Sequence, residues 1–311
     1  MSGELAGRIE PCDPVVRSIF GTTDPEAVWS AVLMVCPEAI ECFAFEASVG
    51  ALFGIVVRSG ERRALKVHRT ATPERLAATQ QVQEHLWRSG FPCPRPLGSR
   101  GRATLEDWRD DGVQRDARDP DVRRAIAQLL SRLVRLAREL SPPVDLPPFF
   151  PRPGGPLWPQ PHNVLFDFHA TAHDAGWIDD IAEAARERRD AGGGKLVIAH
   201  HDWTSKHVRF NGLEPTVVHD WDSTSIDFEP VFVGNSAAHF TYDADLPSAD
   251  ETSLFIADYE RARPSTFTRA ERAQARAAAV YGRAYTTRCT HALGGDTASL
   301  RLPEYASTLL K

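Results

Sequence analysis

The chain has 311 residues, more than one ordinary domain and fewer than three, so two lobes are expected. A composition that is 42% hydrophobic and 25% charged excludes a disordered tail protein, a fibrous repeat and a coiled coil. A formal charge of -6 argues against a chain built to coat nucleic acid or an anionic membrane, and neither partner is expected.

The first residues, MSGELAGRIEPCDP, show no cationic segment followed by an apolar one. No apolar run approaches the roughly 18–20 residues needed to cross a bilayer. Five cysteines (Cys12, Cys36, Cys42, Cys93, Cys289) form no C-x-x-C pair, so neither a disulfide framework nor a structural zinc site is expected. The expectation is a reduced, cytoplasmic protein.

Asp24-Pro25 ahead of Val28, Trp29, Val32 and Leu33 predicts a capped helix with proline at its first position. Residues 42–47, 52–58 and 63–68 are rich in β-branched, aromatic and apolar side chains. Ser48-Val49-Gly50 and Ser59-Gly60 separate them as tight turns, so an antiparallel sheet is predicted. A helix follows over about 73–89, and Pro92, Pro94 and Pro96 then impose extended backbone. Residues 103–108 predict another strand and the crossing to the second lobe. From Asp121, Ile126, Leu129, Leu130, Leu133, Val134, Ala137 and Leu140 fall at helical spacing, with arginines assigned to the opposite face. A proline-rich loop (142–161) and a helix (about 173–190) come next. Strand-like pieces at 195–199, 208–210 and 216–219 follow, the last two joined at Asn211-Gly212. Residues 250–262 and 267–293 are predicted to be mostly helical.

The chemistry concentrates in two segments. One is His200-His201-Asp202-Trp203-Thr204-Ser205-Lys206-His207, which keeps the His and Asp of a catalytic loop of the form H-x-D-x-x-x-x-N. The other is His219-Asp220-Trp221-Asp222, with Asp220 eighteen positions after Asp202. A hairpin between them returns the chain on itself, so it can set one carboxylate beside the other. Such a pair can orient an acceptor hydroxyl and hold a divalent cation on nucleotide phosphates. Taken singly, an Asp after a strand is ordinarily a turn or cap residue. Lysine is scarce: Lys66, Lys195, Lys206 and Lys311 are the only four. Lys66 lies on the third predicted strand, where a lone lysine is ordinarily a solvated edge residue.

In this order and spacing the chain resembles the aminoglycoside phosphotransferase and choline-kinase-like superfamily over residues 25–245. The resemblance implies an α+β, two-lobed, protein-kinase-like fold. Its β-rich N-terminal lobe (1–107) would bind nucleotide, and its mainly helical C-terminal lobe (108–311) would carry catalysis and the acceptor. It implies ATP or GTP as co-substrate, Mg²⁺ or Mn²⁺ as the metal, and a small hydroxyl-bearing acceptor such as an aminoglycoside or a metabolite. Asp202 would be the catalytic carboxylate, with His200 and Lys206 in the same loop, Lys206 reaching the transferring phosphoryl group or simply solvated. Asp220 would be the principal metal ligand, with His207 and Asp222 as further ligands. Lys66 would pair with the phosphates. Ser48, Gly50 and Glu106 would complete the nucleotide site, the Ser48–Gly50 turn capping phosphates with backbone N–H groups. Asp222, two positions from Asp220, would share its face on an extended backbone.

Three departures stand out. His207 replaces the family's Asn, and imidazole suits Mn²⁺ better than Mg²⁺; the alternative is a hydrogen bond from His207 to Asp202 or a phosphate. His201 replaces the Gly before the catalytic Asp. Similar sequences place the lysine's glutamate partner near Thr79, and the nearest acids, Glu74 and Glu84, lie five residues away on either side, Glu84 being the better candidate if the helix register slips. These departures keep a second reading open, a degraded kinase acting as a nucleotide- or ligand-binding module. A helical nucleic-acid binder using the arginines of 123–138 is disfavoured by the absence of aromatic interleaving. For the acceptor, Asp243, Asp245, Asp250, Glu251, Asp258 and Glu260 form an acidic stretch that would favour an amine, or else a solvated face.

Overall fold

The computed structural model describes residues 7–140, 144, 146–241 and 246–311. These form two compact units, one from residues up to 87 with 94–109 and 162–165, the other from 88–93, 110–161 and 166–311. The first is a sheet with helices and the second is mainly helical, the mixed architecture that the sequence predicts. No described helix is long and apolar enough to cross a membrane.

The first unit begins with α1 (Pro14–Phe20) and α2 (Pro25–Val35). Each starts with Asp-Pro: the Asp13 carboxylate accepts from the N–H groups of Val15 and Val16, and that of Asp24 from Ala27. Proline at the first turn loses nothing, because that N–H has no helical partner. Strands β1 (Ala39–Ala47), β2 (Gly50–Val57), β3 (Arg62–His68), β4 (Pro96–Arg100) and β5 (Ala103–Asp107) form an antiparallel sheet in the order β1-β2-β3-β5-β4. Strand alternation sends Leu65, Val67 and Ala103 into a core with Val16, Ile19, Val28, Val32, Phe53 and Ile55. Helix α3 (Pro73–Arg88) buries Leu76, Thr79, Val82, Gln83 and Leu86.

In the second unit α4 (Pro120–Ala137) carries the predicted apolar stripe. The arginines are not all on its solvated side: Arg123 is buried and donates to Asp258 at 2.6 Å. Helix α5 (Gly176–Asp190) precedes β6 (Leu196–His200). The expected hairpin is β7 (Val208–Asn211) and β8 (Glu214–Val218), turning at Gly212 with φ +62°. β6 pairs instead with β9 (Thr224–Phe228), a strand outside the sequence prediction that leads directly into α6 (Glu229–His239). Helices α7 (Ala249–Ala262), α8 (Arg269–Ala292) and α9 (Leu302–Leu309) complete the unit. α6 runs hard against α8: a Cβ on Gly234 would meet the Ala275 carbonyl oxygen at 1.9 Å.

Candidate active site

β6 ends at His200, and the chain from His201 to His207 is a loop fixed at several points. Trp203 is 1% exposed and its Nε1–H donates to the Ile126 carbonyl of α4 at 3.2 Å. Asn235 of α6 donates to the His201 carbonyl at 2.7 Å, and Ser205 N–H to the Phe240 carbonyl at 2.9 Å. A buried indole and two hydrogen bonds thus hold the loop while the Asp202 side chain stays 41% exposed. The loop closes in a 3-10 turn, Ser205–His207, which hands the chain to β7.

The hairpin acts as the sequence predicts. Val208 opposes Val218, and His219 N–H donates to the His207 carbonyl at 2.9 Å, so residues 207 and 219 meet at its mouth. The next residue, Asp220, lies in the left-handed region (φ +69°, ψ +46°), a conformation that Asp tolerates better than most. There the chain turns into Trp221–Ser223 and on to β9. The Ser223 hydroxyl donates to Asp220 Oδ2 at 3.2 Å, and buried Trp221 donates to the Val218 carbonyl at 2.9 Å.

Asp202, His207 and Asp220 therefore converge, with one potential ligand atom from each lying within 4.8 Å of the others. His207 Nε2 is 2.8 Å from Asp202 Oδ2 and 3.8 Å from Asp220 Oδ2. Burial pushes the Asp202 carboxyl upward, but the hydrogen bond and charge of His207 outweigh it and hold the group below the usual carboxylate range. Asp202 is therefore ionised at neutral pH. His200 is fully buried, and its Nε2–H donates to the His219 carbonyl at 3.0 Å, tying the end of β6 to the residue before Asp220. Burial, reinforced by His207, lowers its pKa and keeps the ring neutral.

Asp222 requires a correction. The backbone between Asp220 and Asp222 is not extended: a left-handed residue followed by a 3-10 turn replaces it, so period-two alternation does not apply. Among the described residues the converging group contains Asp220 but not Asp222. Lys206 is exposed, and its carbonyl accepts from the Gln114 side chain at 2.9 Å. His201, in the glycine position, stacks its ring on Phe149 at 3.8 Å, 15° from parallel. The acidic stretch is largely committed elsewhere. Asp258 is buried against Arg123 and Arg261, Glu251 closes the capping box of α7, and Glu260 accepts from Arg272 and the Phe267 N–H. Asp243 and Asp245 lie outside the described residues.

In the first unit Lys66 sits in the middle of β3, opposite Leu52 of β2 and Thr104 of β5. Gly50 opens β2 opposite His68, and a Cβ there would lie 2.7 Å from the Val67 carbonyl oxygen and 3.6 Å from Lys66 Cε. Glycine at 50 thus lets the start of β2 approach the Val67 carbonyl more closely than any other residue could. The Ser48 N–H closes the turn on the Gly50 carbonyl at 2.9 Å, so this donor is occupied within the loop. Glu106 on β5 accepts from Gln83 Nε2 at 2.6 Å. Thr79 is buried on α3, whereas Glu74 is exposed and Glu84 lies off the buried stripe. Sequence reading missed Gln83, Trp203, Ser223 and Asn235. Gln83, Trp203 and Asn235 act through contacts distant in the chain, which spacing alone does not reveal, and Ser223 acts on Asp220 through a local turn.

The Phosphotransferase enzyme family (APH) matches residues 50–265 of the chain. Among solved structures, an amicoumacin kinase in complex with AMP-PNP, Ca²⁺ and Ami superposes with a TM-score of 0.64 at 11% identity, covering 92% of this chain and 93% of that one. A microcompartment-associated aminopropanol kinase gives 0.58 at 12% identity over 92% and 95%. A Plasmodium vivax ethanolamine kinase gives 0.55 at 12% over 99% and 92%. At these identities the likeness is one of fold, and the fold is protein-kinase-like. No match is found among curated protein sequences.

Proposed function

The chain belongs to the Phosphotransferase enzyme family, and from that premise we propose that it moves the γ-phosphoryl group of ATP or GTP to a hydroxyl of a small molecule. The observation that carries this reading is the convergence of Asp202, His207 and Asp220 at the mouth of one hairpin. Phosphoryl transfer demands positioning and charge stabilisation more than covalent chemistry, and two fixed carboxylates supply both.

Asp202 is the residue proposed to orient the acceptor hydroxyl. His207 engages its Oδ2, leaving Oδ1 as the acceptor of the hydroxyl hydrogen bond. The hydroxyl oxygen forms the new bond to the γ-phosphorus as the bond to the bridging oxygen breaks, and the diphosphate leaves. Asp202, ionised at neutral pH, orients the hydroxyl and would accept its proton late, as the new bond to phosphorus completes.

Two carboxylates and an imidazole form a donor set that fits a divalent cation, with Asp220 the principal ligand and Asp202 and His207 beside it. Such an ion would neutralise phosphate charge. His207 Nε2 cannot donate a proton to Asp202 and give its lone pair to a cation at once. The metal-bound state therefore requires the other imidazole tautomer, and nitrogen ligation favours Mn²⁺ over Mg²⁺. Asp222 is kept as a more distant contributor and Lys206 as a cation for the transferring group. His200 is assigned as a positioning residue for the two loops.

In the first unit Lys66 is assigned to the α- and β-phosphates, with the Ser48–Gly50 turn and Glu106 completing nucleotide binding. The structural commitment of Asp258, Glu251 and Glu260 gives no support to a polycationic acceptor, and the surface beside Asp202 carries the His201–Phe149 stack instead.

The test is transfer of label from γ-labelled ATP and GTP across a panel of aminoglycosides, macrolides and amino alcohols, with Mg²⁺ or Mn²⁺. Wild type is expected to label at least one acceptor, and Asp202→Asn to lower kcat by about 10²-fold or more with little change in nucleotide affinity. Nucleotide binding with no transfer to any acceptor would favour the binding-module reading instead.

A further inference from the structure

A protein-kinase-like site pairs its phosphate-binding lysine with a helix glutamate, and near the position expected for it this chain has Thr79. Thr79 is 2% exposed, and its hydroxyl oxygen is buried without a hydrogen-bond partner. The hydroxyl is too short and uncharged to serve as counter-ion to an ammonium group. Glu74 and Glu84 do not belong to the buried stripe of α3.

The strand register supplies a carboxylate from another direction. Lys66 lies opposite Thr104, and Ala64 lies opposite Glu106. Directly opposed residues of an antiparallel pair project on the same face, and residues two apart on one strand do likewise. Lys66 and Glu106 are therefore diagonal neighbours on one face of the sheet, at a spacing of about 7–8 Å that long side chains bridge. The alternate residues, Leu65, Val67 and Ala103, face the opposite way into the core with α1 and α2. Helix α3 reaches the same diagonal: Gln83, one turn after Thr79 and fully buried, donates to Glu106 Oε2 at 2.6 Å and to the Pro94 carbonyl at 3.1 Å.

We propose that Glu106 is the counter-ion that positions Lys66, the carboxylate having moved from the helix to strand β5, with Gln83 linking it to α3. A helix normally reaches the lysine with its own acid. Here a neutral amide from the helix grips an acid that the neighbouring strand supplies. Glu106 acts through Lys66 and is a positioning residue. The inference rests on the reading of Lys66 as the phosphate-binding lysine, and its test separates the two.

The chain has only four lysines, so ¹³C-labelled lysine gives a countable spectrum in which Lys66→Arg assigns one signal. In the nucleotide-free protein, Glu106→Gln is expected to shift the Lys66 Cε resonance and lower the pH at which it titrates, leaving the signals of Lys195, Lys206 and Lys311 in place. Calorimetry with ATP and metal is expected to show binding weakened tenfold or more by Glu106→Gln. Adding Thr79→Glu to Glu106→Gln should recover most of that loss, because it returns a carboxylate to the helix; a purely structural role for Glu106 would show no such rescue. If Glu106→Gln does not fold, Glu106→Asp and Gln83→Leu replace it, each expected to weaken binding by a smaller factor. An unchanged Lys66 signal in folded Glu106→Gln, or unchanged nucleotide affinity together with no rescue by Thr79→Glu, overturns the inference. If wild type binds no nucleotide while the Lys66 signal still responds to Glu106→Gln, the pairing stands and the phosphate reading of Lys66 fails.

Discussion

At the scale of single residues, His207 is where the chain departs from the H-x-D-x-x-x-x-N loop that it resembles. It lies 2.8 Å from Asp202 and 3.8 Å from Asp220, so it is placed either to hold the Asp202 carboxylate or to ligate a cation. His207→Asn exchanges a nitrogen ligand for an oxygen ligand of similar reach. The variant is expected to lose affinity for Mn²⁺ relative to Mg²⁺ by roughly tenfold, read by Mn²⁺ electron paramagnetic resonance with Mg²⁺ competition. An unchanged metal preference would show that His207 serves Asp202 alone. The approach of Asp202 to Asp220 was legible in the sequence because the Asn-Gly hairpin between them announces itself. The face that Asp222 was expected to share with Asp220 was not legible, because it depends on a left-handed residue at Asp220 that no residue pattern announces. Gln83 was not legible either, since its role arises only when a helix face meets a strand twenty-three residues further on.

At the scale of elements, the site is held by how β6, the β7–β8 hairpin and β9 follow one another. The sequence showed the hairpin through its Asn-Gly turn and apolar alternation. It did not show β9, whose five residues TSIDF pair with β6 across nearly thirty positions of chain. It missed α6 as well: ten of the helix's eleven residues are buried, so no amphipathic stripe marks it. That helix carries Asn235, which holds the catalytic loop, and its packing on α8 depends on Gly234. Gly234→Ala would drive a methyl group into the Ala275 carbonyl, and backbone cannot yield as a flexible side chain does. The expected cost is about 1–3 kcal/mol or more, measured as a lower urea midpoint at unchanged slope. A variant as stable as wild type would mean that the two helices separate freely.

At the scale of the whole molecule, buried charge and pH decide how robust the second unit is. Glu229, 3% exposed, accepts from Arg138 at 2.6 Å, from Arg263 at 3.1 Å and from the Tyr259 hydroxyl at 2.8 Å. Glu229→Ala leaves these donors around an empty space and should cost about 3–5 kcal/mol in chemical unfolding. A cost under about 1 kcal/mol would show that water replaces the carboxylate without penalty. His239 gives the pH dependence. Burial and the charge of Arg283 lower its pKa to about 4, against the opposing hydrogen bond to the Asn235 carbonyl. The unfolded chain takes up a proton as pH falls through about 6.5 while the folded chain does not. Stability therefore declines from about pH 6.5 to pH 4, by roughly 2–3 kcal/mol, and the effect saturates below. His239→Gln should flatten this slope in urea unfolding between pH 7 and 4.5, and an unaltered slope would remove His239 from the account. Whether the group at the hairpin mouth is a nucleotide–metal site is decided by calorimetry of ATP and GTP binding with Mg²⁺ and then Mn²⁺, on wild type and Asp220→Ala. The account predicts metal-dependent binding to wild type, tighter with Mn²⁺, that Asp220→Ala abolishes. Binding that is indifferent to the metal and to Asp220, or no binding with either ion, would contradict it.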